Sequence, residues 1–185
     1  MKTIVIGPPG TGKTTTLLNL VDKYLKETDP NKIGYFAFTQ KAAYEARDRA
    51  MDKFNYSEDD LPYFRTLHSL AFRRLGINKD NVMQRRHYED LGKKIGFPVD
   101  YEDNDSEMNG IFSTKSDYLR IIQLSKLRNI SIERQYDLKE HTQDVEFDKL
   151  RIIAHELERY KKEYNLVDFN DMILNFKSGV CPKFD

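Results

Sequence analysis

The chain has 185 residues, enough to bury a hydrophobic core, and its 30 Lys and Arg balance 30 Asp and Glu to a formal net charge of zero. That balance excludes the overall basic field of a protein that binds nucleic acid by bulk charge, and a single cysteine, Cys181, excludes an intrachain disulfide. Four histidines without metal-ligand spacing offer no zinc site, and no apolar run is long enough to cross a bilayer or resembles a secretory leader, so a cytoplasmic protein without membrane contact is expected.

The first predicted element is a buried strand, Ile4-Val5-Ile6, followed at once by Gly7-Pro8-Pro9-Gly10-Thr11-Gly12-Lys13-Thr14. This is a complete phosphate-binding P-loop pattern. Its glycines let backbone amides wrap around phosphate oxygens, Lys13 brings positive charge to the terminal phosphates, and the Thr14 hydroxyl is suited to Mg2+. Residues 15–25 carry apolar side chains at helical spacing, so Thr15 opens a helix whose N-terminal amides and dipole face the anion. A nucleoside triphosphate such as ATP, with Mg2+, is the expected ligand, held by Gly7, Pro8, Pro9, Gly10, Thr11, Gly12, Lys13, Thr14 and Thr15. Lys13 and Thr14 would carry the chemical role.

Asp29-Pro30-Asn31 marks a turn, and residues 33–38 read as a second buried strand, which makes the sheet parallel. Thr39 stands where a helix cap should, ahead of an alanine-rich amphipathic segment over residues 40–54. Residues 63–66 read as a third short strand, and residues 67–75 as a helix ending at Gly76. Residues 1–75 carry 12 Lys or Arg against 9 Asp or Glu, so a polyanion site belongs on this part of the chain.

From about residue 78 the character changes to helical stretches near residues 84–94, 115–128 and 145–164, alternating with polar loops. The acidic run over residues 100–107 reads as a solvated loop. Leu150, Ile153, Ala154, Leu157, Tyr160 and Tyr164 lie on one stripe and read as core. A short amphipathic helix is expected over residues 166–176, with Asp168 as its cap. The predicted organisation is α/β: an incomplete parallel sheet of the P-loop NTPase type over residues 1–76, a helical insertion over 77–164 and a return segment over 165–185.

Three segments in this order resemble the superfamily 1 helicases of the UvrD/Rep type. They are Gly7-Pro8-Pro9-Gly10-Thr11-Gly12-Lys13-Thr14 as motif I, Ala37-Phe38-Thr39-Gln40-Lys41-Ala42-Ala43 as motif Ia, and Thr66-Leu67-His68-Ser69-Leu70 as motif Ib. A fourth, Leu166-Val167-Asp168-Phe169-Asn170-Asp171-Met172-Ile173, is similar to the stretch those enzymes carry after a helical insertion, shortly before motif II. The resemblance implies a RecA-like core and an ATP-dependent DNA helicase. It implies that Phe38 and Thr39 line the path of single-stranded DNA, that Thr66 and His68 hydrogen-bond its backbone, and that Lys41 stands beside it. Gln40 departs from the asparagine common at its place, so no contact is carried onto it.

The family's catalytic Asp-Glu pair of motif II would begin almost at Phe184-Asp185, and no such run lies in the sequence. The expectation is therefore an N-terminal part of a helicase, without motif II and the second RecA-like domain, that binds nucleotide weakly and hydrolyses it little. Two other readings stay open. In a small P-loop phosphotransferase the helical region would be a lid whose arginines, among Arg85, Arg86, Arg120 and Arg128, meet phosphate. A P-loop protein without catalysis would only bind a partner.

Overall fold

A computed structural model of the protein describes residues 4–8, 10–99, 116–141 and 144–177. The chain divides into two compact units, one within residues 1–70 and one within residues 71–181.

In the first unit, helix α1 (Lys13–Leu25) follows the glycine-rich loop and buries Leu18 and Val21. Strand β1 (Tyr35–Ala37) pairs in parallel with β2 (Phe64–Thr66), Tyr35 opposite Phe64 and Ala37 opposite Thr66. Between them runs α2 (Gln40–Phe54), which Thr39 caps by accepting the Ala42 N–H at 3.1 Å. Ala43, Ala46 and Ala50 are wholly buried, and their small size lets α2 lie close against both strands. Leu18, Val21, Ala50, Leu61 and Phe64 form the core here. The α–β order and the parallel pairing agree with the sequence reading, and the described sheet is small.

The predicted first strand does not form. Ile4 and Ile6 are 84% and 90% exposed, and residues 4–6 pair with neither β1 nor β2. An apolar run becomes a strand only when a neighbour takes its backbone hydrogen bonds, and neither β1 nor β2 takes those of residues 4–6. The second strand is also shorter than expected. A 3-10 turn over Pro30–Lys32 takes the Ile33 N–H at 3.1 Å, and Phe38 lies beyond the strand end, 65% exposed.

Helix α3 (Leu67–Arg74) is capped by Thr66, whose hydroxyl accepts the Ser69 N–H at 3.1 Å. It ends as predicted at Gly76, whose φ of 63° suits glycine, with the Ile77 N–H returning to the Phe72 carbonyl at 3.2 Å.

The second unit holds α4 (Arg85–Ile95), α5 (Asp117–Arg128), α6 (Ile132–Asp137), α7 (Phe147–Glu163) and α8 (Phe169–Lys177). Leu150, Ile153, Ala154, Leu157 and Tyr160 of α7 are buried against residues that include Leu91, Leu119 and Ile122. Tyr164 is a correction to the predicted stripe: it ends α7 outside the helix and is 46% exposed. Helix α6 was not foreseen, although Ser131 carries its signal by capping the Arg134 N–H at 3.1 Å. Six residues are too few to show a periodic pattern. Val167 bridges Val82 in parallel, and α8 packs on α5, so the segment after α7 belongs to this unit. The acidic run and the end of the chain from residue 178 lie outside the described residues.

Candidate nucleotide and nucleic-acid site

The loop before α1 is shaped by its glycines. Gly10 and Gly12 have φ of 82° and 78°, a region that side chains avoid, and a Cβ at either would meet only open space. Gly7 is close-packed instead, since a Cβ there would lie 2.6 Å from Thr11 Oγ1. Thr11 in turn donates its hydroxyl to the Pro8 carbonyl at 2.8 Å. Pro9 lies outside the described residues.

Gly12 is the N-cap of α1 and no side chain caps the helix, nor does its first turn hold an acidic residue. The unpaired N–H groups and the positive end of the helix dipole therefore remain available to an anion. Lys13 and Thr14 are both half-buried in that first turn, and Thr15 beside them is exposed. The Lys13 ammonium donates to the carbonyls of Gly7 at 2.7 Å and Pro8 at 2.6 Å, folding back over its own loop. This keeps a positive charge beside the loop. The donor set, cationic and rich in N–H groups, fits a triphosphate. Among the described residues no group of three or more His, Cys, Asp or Glu is placed to hold a metal ion, and Thr14 is a hydroxyl residue of the first turn of α1.

One side chain that sequence reasoning missed belongs here. Burial pushes the phenol of Tyr35, on β1, above the usual tyrosine range, the Thr14 hydroxyl working against that rise. An aromatic residue with a hydroxyl inside an otherwise apolar strand was the available signal.

The residues expected to meet nucleic acid stand at the ends of the two strands. Phe38 and Lys41 are exposed. Thr39 and Thr66 spend a hydroxyl lone pair on capping α2 and α3, and Thr66 is only 7% exposed. His68 sits half-buried in the first turn of α3. Parallel pairing of Ala37 with Thr66 brings these two strand ends side by side on one edge.

The glycine-rich loop that opens onto the N-terminus of α1 carries the pattern of the phosphate-binding P-loop class. The family model of the UvrD/REP helicase N-terminal domain matches residues 1–180, and the chain belongs to that family. No curated protein and no solved structure matches it. No helix among the described residues is long and apolar enough to cross a membrane.

Proposed function

We propose that this chain is the N-terminal, ATP-binding part of a superfamily 1 ATP-dependent DNA helicase, acting in the cytoplasm, with residues 1–76 as the first part of its RecA-like core and 77–164 as a helical insertion. The observation that carries the reading is the cradle at α1: two left-handed glycines, an uncapped helix start and Lys13 poised over the loop. Amides of residues 10–15 would hold the phosphates of ATP. Lys13 would exchange its two carbonyl partners for phosphate oxygens, which bind an ammonium more strongly because they are charged. Thr14 would hold Mg2+, whose charge, when bound, offsets that of the phosphates.

Single-stranded DNA would cross the edge formed by the ends of β1 and β2. Phe38 offers an exposed ring for a base, Lys41 a cation for a phosphate, and the hydroxyl and imidazole of Thr39, Thr66 and His68 small polar groups for the backbone. Hydrolysis needs a carboxylate that activates water and arginines that stabilise the transferring phosphoryl group. Neither is assigned within these residues, so turnover requires the family's motif II and second RecA-like domain, and the 185 residues alone hydrolyse ATP little.

The phosphotransferase reading loses its best support in the ion pairs of the helical unit. Arg85 pairs with Glu89 at 2.7 Å, Arg120 with Asp117 at 2.8 Å and Arg128 with Glu140 at 2.6 Å, so three of the four lid arginines are already engaged. Titration with a fluorescent ATP analogue, and separately with labelled oligo(dT) at rising salt, tests the proposal. Nucleotide binding lost in Lys13→Ala, with DNA affinity that falls steeply with salt, is the expected result. Phosphate transfer to a small acceptor without DNA binding, or strong turnover of ATP by this chain alone, would overturn it.

A further inference from the structure

Side chains of α5, α6, α7 and α8 line a cavity of about 350 Å³ in the second unit, within the roughly 300–1,000 Å³ typical of sites for small ligands. Ile122, Ile130, Ile132, Ala154 and Leu174 give it apolar walls, and Ile122 and Ala154 are buried. The turn over residues 129–131, which forms part of the wall, is fixed by its own hydrogen bonds. The Ile130 N–H donates to the Ser125 carbonyl at 3.0 Å, the Asn129 N–H donates to the Lys126 carbonyl at 3.1 Å, and Ser131 caps α6. A wall held this way needs little reordering when a ligand enters.

The charged part of the wall is Lys126 and Glu158, which belong to an ion cluster with Lys161, Asp168 and Asp171. The Lys126 ammonium is already shared among Glu158 Oε1 at 2.5 Å, Asp171 Oδ1 at 3.2 Å and Asp168 Oδ2 at 3.6 Å. Lys161 meets Glu158 Oε1 at 2.9 Å, Asp168 Oδ2 at 2.9 Å and Asp171 Oδ2 at 2.7 Å, and Asp168 Oδ1 takes the Asp171 N–H. Among the described residues, Glu158 Oε2 is therefore the one carboxylate oxygen of the cluster that accepts no hydrogen bond. Two ammonium groups facing three carboxylates also leave one negative charge in surplus. Burial works against the charged form of Glu158, but Lys126 and Lys161 hold its carboxyl below the usual carboxylate range, so it is ionised at neutral pH. Its side chain is 54% exposed, within reach of a ligand.

We infer that this cavity is a binding site for a small organic cation, an apolar body seated among Ile122, Ile130, Ile132, Ala154 and Leu174 with its ammonium group bonded to Glu158 Oε2. The apolar walls take the hydrocarbon part out of water. The ammonium supplies the positive charge that the two lysines leave wanting, through a charge-assisted bond roughly twice as strong as a neutral one. An anion would have to displace carboxylates from Lys126 and enter against the surplus negative charge. Every residue involved lies in the second unit, so the inference does not rest on the nucleotide reading of the loop before α1.

The test is a methyl NMR titration of the full chain, labelled at Ile, Leu and Ala, with phenethylammonium, phenethyl alcohol and phenylacetate as probes. The ammonium should shift the methyls of Ile122, Ala154 and Leu174 and leave those of Leu18 in α1 unmoved. It should bind about three- to tenfold more tightly than the alcohol, the margin of a charged over a neutral hydrogen bond. Phenylacetate should bind more weakly than the ammonium. Glu158→Gln leaves Asp168 and Asp171 as partners of both lysines, so the fold is kept, and it should bring the ammonium level with the alcohol while both still shift the same methyls. Absence of shifts at those methyls, an alcohol or anion that binds as tightly as the ammonium, or a preference for the ammonium that survives Glu158→Gln would each overturn the inference.

Discussion

Lys161 and Asp168 form a buried ion pair across the α7–α8 corner, Nζ to Oδ2 at 2.9 Å, with side chains only 4% and 11% exposed. Asp171 takes a second bond from the same ammonium at 2.7 Å, while Lys126 of α5 lies 3.6 Å from Asp168 and 3.2 Å from Asp171. The two carboxylates also cap α8 reciprocally: Asp168 accepts the Asp171 N–H at 2.9 Å, and Asp171 accepts the Asp168 N–H at 3.0 Å. One cluster therefore ties α5, α7 and α8 together. Burial works against the charged forms, yet the Asp168 and Asp171 carboxylates hold Lys161 above the usual lysine range, and Lys161 with Lys126 holds Asp168 below the usual carboxylate range.

Removing Lys161 leaves two largely buried carboxylates with one partner fewer. Lys161→Met should cost about 3 kcal/mol, the lower part of the range for breaking a buried pair, because Lys126 remains. Chemical denaturation followed by circular dichroism measures it, and a loss below 1 kcal/mol would contradict the description of the pair as buried. The depressed Asp168 contributes stability above its unfolded value of about 3.9 that is lost as pH falls through its folded value, so Asp168→Asn should flatten the acid limb of the stability curve.

A second pH response sits at the start of α4. The Gln84 N–H donates to His87 Nδ1 at 3.0 Å, which requires a neutral ring with its proton on Nε2. Burial, with Arg86 adding to it and Asp90 opposing, keeps His87 below the usual histidine range. The sign follows: the bond is fully present above about pH 6.5 and is lost as pH falls from there through the folded value. Stability should drop by at most about 1 kcal/mol across that interval. A His87→Ala variant should lack this step, and an NMR titration that places His87 above 6.5 would refute the assignment.

Gly12 joins the loop to α1 at a φ of 78° with open space around it. Gly12→Ala therefore meets no clash, and its cost is the left-handed backbone, about 1–2 kcal/mol. The chain should stay folded by circular dichroism while binding of an ATP analogue falls about tenfold, as the loop relaxes away from the conformation that gathers its amides. Unchanged affinity would remove the cradle from the binding site.

Phe38 and Phe64 separate binding from folding. Phe38, 65% exposed, contributes little to the core, and Phe38→Ala should leave the denaturation midpoint nearly unchanged while weakening oligo(dT) binding by about 1–3 kcal/mol, the worth of one stacked base. Phe64, 2% exposed and stacked on Tyr35, should cost about 3–5 kcal/mol of stability on truncation to alanine. The reverse pattern would show that Phe38 serves the core.

Local chemistry made much of the molecule legible from its residues. The helix caps at Thr39 and Asp168, the stop at Gly76 and the amphipathic stripe through Leu150, Ile153 and Leu157 depend on neighbours within a few turns, and each is found where spacing puts it. The motifs around Lys13, Phe38 and His68, read in order, led to the family that the match over residues 1–180 shows. What was not legible depends on partners distant in the chain. Ile4-Val5-Ile6 has strand composition, but hydrogen bonding between strands decides whether it becomes one. Asp168 was readable as a cap, but not as the partner of Lys161 and Lys126, since those ammonium groups come from two other helices.

The sequence by itself determined the phosphate loop, its family and the helices that follow, because glycine freedom, capping and helical periodicity act over a few residues. Only the tertiary structure decided that Tyr35 stacks on Phe64, that Thr66 is buried and that two lysines share the Asp168 and Asp171 carboxylates. Those contacts exist because strand pairing and helix packing bring distant residues within a few ångströms, and no local rule fixes which residues those are.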